Sequence, residues 1–152
     1  MLKICKDKWH KNSKKLYEEI VKRGTDVDYI DLVRMSVNCV LNEGETGCET
    51  WDTDNITVID NGDYQGTLLF MIPRRVYQPS EYDYLLTFAG YGSCSGCDAL
   101  LSIIGYSNDG MTEDIARELL VLCKHLIENI VKPYNGGWRE DEDYTTVVEE
   151  RK

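Results

Sequence analysis

No stretch of this chain approaches the ~20 consecutive apolar residues of a membrane span, and its first fifteen residues are rich in Lys rather than carrying the apolar run of a secretory leader. The expectations are no membrane, a cytoplasmic protein and reduced thiols. Internal repeats and low-complexity linkers are missing, so 152 residues with 42% apolar content fit a single domain with one core. The glycines at 90, 92 and 96 are not followed by the Gly-Lys-Ser/Thr of a phosphate loop. Asp52-Thr53-Asp54-Asn55 begins like a calcium loop, but Ile56 and Thr57 occupy positions that need a ligand and a glycine. The two His have no neighbouring Ser or carboxylate pattern of a hydrolase, so no catalytic residue is expected and the chain reads as a non-enzyme.

Basic residues are scarce where acidic ones gather. Residues 35–116 hold two Lys/Arg, Arg74 and Arg75, against thirteen Asp/Glu, a net of −11. Residues 1–34 carry +3 and residues 117–152 carry −2, which gives the chain its −10. Such a middle repels phosphates, which excludes direct nucleic-acid binding as the expected activity. It suits a basic protein surface, toward which carboxylates steer association. The competing reading is that surplus carboxylates only keep a small protein soluble. Candidate partner contacts are Glu43, Glu45, Glu49, Asp52, Asp54, Asp60, Asp63 and Tyr64. The chain also has ten Tyr, and Tyr is enriched at binding hot spots. Tyr82 and Tyr84, two apart in an expected strand, would share one sheet face.

The spacing predicts helices over 7–23 and 29–41, with Gly24 stopping the first and Asp28 capping the second. Strands are expected over 55–59, 66–72 and 82–89, the first two joined through Asp60-Asn61-Gly62-Asp63. A short helix follows over 99–104, with Asp98 as cap, then a longer one opened by Thr112 and running to about residue 130, before Pro133. A fourth strand is possible over 144–148, inside an acidic tail at 140–152. Strands that cluster between helices argue for α+β: a small antiparallel sheet of three or four strands packed against helices. Residues 1–42 then form a helical N-terminal region, residues 55–90 the sheet and residues 98–131 the later helices.

The densest chemistry lies in Gly90-Tyr91-Gly92-Ser93-Cys94-Ser95-Gly96-Cys97-Asp98. Cys-x-x-Cys in a glycine turn is half of a structural zinc site, since the turn wraps both sulfurs toward one point. Cys94 and Cys97 are the firmest candidate ligands, and Cys48 and Cys123 are candidates for the remaining two, with Asp98 able to complete a mixed site. His125 lies about 200° around its helix from Cys123, so those two do not converge. A redox dithiol is a second reading, disfavoured because residues 1–54 lack a βαβ pattern. An iron–sulfur cluster lacks its four spaced Cys, and a tight turn with structural thiols alone remains open.

Three segments, Ile59 to Phe70, Tyr77 to Tyr82 and Gly90 to Asp98, together with the tail Lys132 to Arg139, resemble a family of small proteins encoded by phages and prophages of Gram-positive bacteria. The resemblance covers roughly residues 55–140, and Gly-Ser-Cys-Ser-Gly-Cys-Asp is its most specific stretch. It implies a phage accessory protein that acts against a host defence. Type II-A anti-CRISPR proteins, which inhibit Cas9, include small acidic products of this kind. The resemblance carries over Cys94 and Cys97 as a ligand pair and no catalytic residue. The alternative expectation is a zinc- or thiol-dependent binder of small molecules, or a redox enzyme, in which the Cys turn is the active element. A phage structural or assembly factor is a third.

Overall fold

Trp9, Leu16 and Ile20 recur at helical spacing, and the first helix, α1 (Lys3–Arg23), turns all three inward. The structure is a computed structural model that describes residues 2–63, 65–92, 98–105, 110–134 and 137–139. Helix α1 starts four residues before the expected Asp7, without a side-chain cap, because Leu2 and Cys5 are buried and packing outweighs the missing cap. It ends at Gly24, whose φ of 86° suits glycine and whose N–H reaches the Ile20 carbonyl at 3.2 Å.

Asp28 and Asp31 cap α2 (Tyr29–Ser36) reciprocally, each carboxylate accepting the other's backbone N–H at 3.2 and 3.0 Å. The expected helix to residue 41 is regular only to Ser36, and Val37–Leu41 widens into a π turn. There Asn42 N–H reaches back five residues to the Val37 carbonyl at 2.8 Å. Helix α1 supplies donors to the carbonyls of the wide turn. The Asn12 amide donates to Val40 O at 2.9 Å and Lys8 Nζ to Leu41 O at 2.6 Å.

Three strands form an antiparallel meander: β1 (Thr57–Asp60), β2 (Gly66–Pro73) and β3 (Tyr84–Tyr91). Asn61-Gly62 closes the β1–β2 hairpin, and a Cβ at Gly62 would stand 2.2 Å from the Gln65 carbonyl oxygen, so only glycine fits. Strand β3 begins two residues later than expected. Ser80 and Asp83 cap each other around a 3-10 turn, Glu81–Asp83, so Tyr82 sits in that turn and not on a sheet face with Tyr84.

One face of the sheet is the core face. The paired rows Phe70–Thr87 and Ile72–Leu85 are buried on it, and Ala89 lies beside them. They pack in one cluster with Leu16 and Ile20 of α1, Leu32 and Val33 of α2, and Leu119, Leu126 and Ile127 of α4 (Glu113–Glu128). Thr87 Oγ1 donates to the Leu126 carbonyl, which ties sheet to helix inside the core. Before α4 comes the short α3 (Ala99–Ile104), and both helices start where expected, Asp98 and Thr112 each accepting a backbone N–H of its own helix.

Beyond α4, Val131 exchanges two backbone bonds with Leu86, at 3.1 and 2.9 Å, on the side of β3 away from β2. The chain continues as a pair not foreseen in the sequence, β4 (Lys132–Tyr134) and β5 (Gly137–Arg139). The architecture is α+β, one domain with one core. The expected strand at 144–148 and the tail 140–152 lie outside the described residues.

Candidate functional site

The loop from Glu43 to Thr53 leaves the π turn and returns to the sheet, and it carries half of the expected partner contacts, Glu43, Glu45, Glu49 and Asp52. Asn42 fastens both ends: its amide accepts Trp51 N–H at 2.7 Å and donates to Trp51 O at 2.9 Å. Asp52 N–H then donates to Pro73 O at 2.7 Å, and Arg74 lies over the Trp51 ring, 4.4 Å from its centre.

The carboxylates of this loop face the chain's own cations. Lys15 pairs with Glu43, and Lys8 pairs with Glu45 at 2.9 Å. Arg74 lies 3.8 Å from Glu49 and Arg75 3.8 Å from Asp52. Asp52 also accepts Asp54 N–H and the Asn55 amide, at 3.1 and 2.7 Å. Exposed pairs of this kind contribute about 0–1 kcal/mol each, but they cancel charge locally. Glu43, Glu45, Glu49 and Asp52 are therefore partly neutralised from the basic first helix and from Arg74-Arg75.

Asp54, Asp60 and Asp63 differ. All three are exposed and make no ion pair with a described residue. Asp54 lies before β1, Asp60 is its last residue and Asp63 follows it, within a stretch, 35–73, that contains no Lys or Arg. Asp60 accepts the Tyr91 hydroxyl proton and the Gly62 N–H. That bond to the carboxylate, with some burial, pushes the Tyr91 hydroxyl up to about 12. Tyr64 lies outside the described residues.

Of the candidate ligands, Cys94 and Cys97 also lie outside the described residues, and Cys48 and Cys123 occupy unlike surroundings. Cys48 is exposed on the 3-10 turn Gly47–Glu49. Cys123 is 0% exposed on the inner face of α4, and burial pushes its thiol up to about 12 against a lowering bond with Ser36. A protonated core thiol is a poor ligand. Among the described residues no three of His, Cys, Asp and Glu gather as a metal group.

What the structure adds is the clasp around the Cys segment. Asp98 Oδ2 accepts Gly92 N–H at 3.1 Å, so the residues on either side of 93–97 are joined directly. Asp98 Oδ1 accepts Leu101 N–H at 3.1 Å and the Tyr29 hydroxyl at 2.7 Å. The Tyr29 oxygen in turn accepts Leu100 N–H at 3.1 Å. Burial and then the Asp98 bond raise the Tyr29 hydroxyl. Both oxygens of Asp98 thus accept hydrogen bonds that tie β3, α3 and α2 together.

Beside this clasp lies an open cleft of about 470 Å³, its apolar side lined by Val27, Leu68, Leu100 and Ile104, with Tyr29 and Tyr91 at its edge. The cap role of Asp98 was readable from its position. Tyr29 carries no local signal for its bond to a residue 69 positions away. No described helix is long and apolar enough to cross a membrane. Comparison with protein-family models, with curated proteins and with solved structures finds no match.

Proposed function

We propose that the chain is a non-enzymatic, phage-encoded inhibitor that works in the host cytoplasm by binding a basic host protein. A Cas9-type nuclease is the specific partner implied by the resemblance of the Cys-turn, hairpin and tail segments. The observation that carries the reading is the uncompensated charge around the β1–β2 hairpin. Asp54, Asp60 and Asp63 stand exposed and unpaired among the described residues, while the carboxylates of the neighbouring loop are matched by the chain's own cations. Carboxylates in and on either side of β1 compete with phosphates for the positive channel of such a nuclease. No bond need be made or broken.

The test is a DNA-cleavage assay with purified Cas9 and the purified chain. Inhibition is expected, and the double variant Asp54→Lys with Asp63→Lys weakens it at least about tenfold. Glu43→Gln, at a position already paired with Lys15, changes it far less. A wild-type chain that neither binds Cas9 nor slows cleavage removes the proposal.

The zinc expectation rests on Cys94 and Cys97, with the exposed Cys48 as a further candidate ligand and the buried Cys123 the least suited. Bound there, the metal would act as a structural clamp between β3 and α3, reinforcing what Asp98 already does. The cleft beside the clasp favours the second reading, a thiol-dependent small-molecule site. Replacing Cys94 and Cys97 with Ser separates them. Under the first, elemental analysis finds about one zinc per chain lost and the melting temperature falls. Under the second, the fold survives and only ligand binding or turnover is lost.

A further inference from the structure

The sheet is open along one side. Asn61 N–H donates to Thr67 O at 3.1 Å, across the hairpin. Backbone groups alternate along a strand, so Thr57 and Ile59 also face β2, and Val58 and Asp60 turn their N–H and C=O outward. The far side of the sheet fixes the same parity. Leu86 faces Val131, which leaves Leu85, Thr87 and Ala89 to bond β2. No described strand lies beyond β1. The strand is exposed at all four residues and contains no Pro, Lys or bulge; its one charge, Asp60, disfavours an acidic neighbour and suits a basic one.

The outer face of the sheet is uncharged. Register places Ile59, Leu69 and Phe88 in one row and Thr57, Met71 and Leu86 in the next. Ile59 is 46% exposed and Phe88 41%. Asp60 lies on the opposite face, and Asp54 and Asp63 lie beyond the two ends of the strand.

We propose that β1 is a docking edge to which an extended, basic segment of a partner protein adds as a further strand. Its apolar side chains continue the Ile59–Leu69–Phe88 row. Its Lys or Arg side chains, alternating with them, fall on the face of Asp60 and near Asp54 and Asp63. This deepens the acidic-surface reading and rests on it. Charge selects this occupant over a second copy, which would set Asp60 and Asp63 of one −10 chain against those of another.

The probe is a capped octapeptide of alternating Lys and Val, with a control in which a central Val is Pro. Amide hydrogen exchange at Val58 and Asp60 is read by NMR. The alternating peptide slows both amides about tenfold, the protection that roughly 90% occupancy gives. Val58→Pro deletes an outward N–H while Thr57, Ile59 and Asn61 keep the ladder to β2, so the variant folds and loses the peptide. Ile59→Lys, at an exposed position, loses it by repulsion with the fold intact.

Unprotected amides overturn the proposal, and so does equal protection by the Pro control, which means charge attraction without strand addition. Amides protected without peptide, in a sample scattering light at twice 17.5 kDa, assign the edge to a second copy and overturn it too. The nuclease assay separates the two claims. If wild type inhibits and Val58→Pro inhibits equally, the edge fails alone. If wild type never inhibits, the proposed function fails, and the peptide result still decides the edge.

Discussion

Cys123 and Cys5 are 0% and 2% exposed, and burial pushes each thiol from an ordinary 9 up to about 12. The N-terminal amine, Lys8 and Lys132 oppose the shift at Cys5 without cancelling it. In the unfolded chain these thiols lose their protons near pH 9, while in the folded chain they keep them. The folded state therefore holds more protons above pH 9, and stability falls as pH rises through that window. Each thiol withdraws on the order of 1 kcal/mol by pH 10. Denaturant midpoints measured between pH 8 and 10 are expected to drop, and Cys123→Ala flattens some of that slope while lowering the plateau at pH 8. The composition showed six Cys and their spacing singled out one pair. Which of the others are core was not legible, because burial is set by which helix face meets the sheet.

At the scale of elements, local signals were readable and distant ones were not. Asp28, Asp98 and Thr112 cap the helices they were expected to cap, since the bond runs to a backbone N–H three residues on. The π turn at Val37–Leu41 is invisible in its own residues. It exists where Asn12 and Lys8, some thirty positions away, accommodate its carbonyls. Pro133 lies beyond the end of α4, as its sequence position suggests, but its place opposite Trp138 in the β4–β5 pair has no local signal. The clasp between β3 and α3 belongs to the same class of distant tie, and it makes a prediction. Tyr29→Phe leaves Asp98 and the Leu100 N–H short of a partner, which costs about 1–2 kcal/mol and lowers the melting temperature by roughly 4 °C. Asp98→Asn also releases the Gly92 amide, whose hydrogen exchange speeds up, whereas Tyr29→Phe leaves that amide protected. Equal exchange in both variants would show that Asp98 does not join the two stems.

For the whole molecule, the fold class followed from order alone: two helices, three strands in succession and two more helices leave few layouts other than a meander with helices on one face. Charge was harder to read. Counting residues spread the acidic excess over 35–116, but folding brings Lys8 and Lys15 of α1 and the Arg74-Arg75 pair against the Glu43–Thr53 loop within it. Pairs such as Lys8–Glu45, 37 positions apart, cannot be counted along a chain. Of the expected contacts, Asp54, Asp60 and Asp63 keep their charge without an ion pair to a described residue.

Asn42 stands where a neighbouring strand would otherwise be needed, its amide imitating a peptide group to hold Trp51. The residues between them form a loop tied at its neck, and Thr50 in turn holds the Arg75 N–H just past β2 at 3.0 Å. The loop thus answers to α1 and to the end of β2 at once, while Asp54 and Asp63, contiguous with it in sequence, make no ion pair with a described residue.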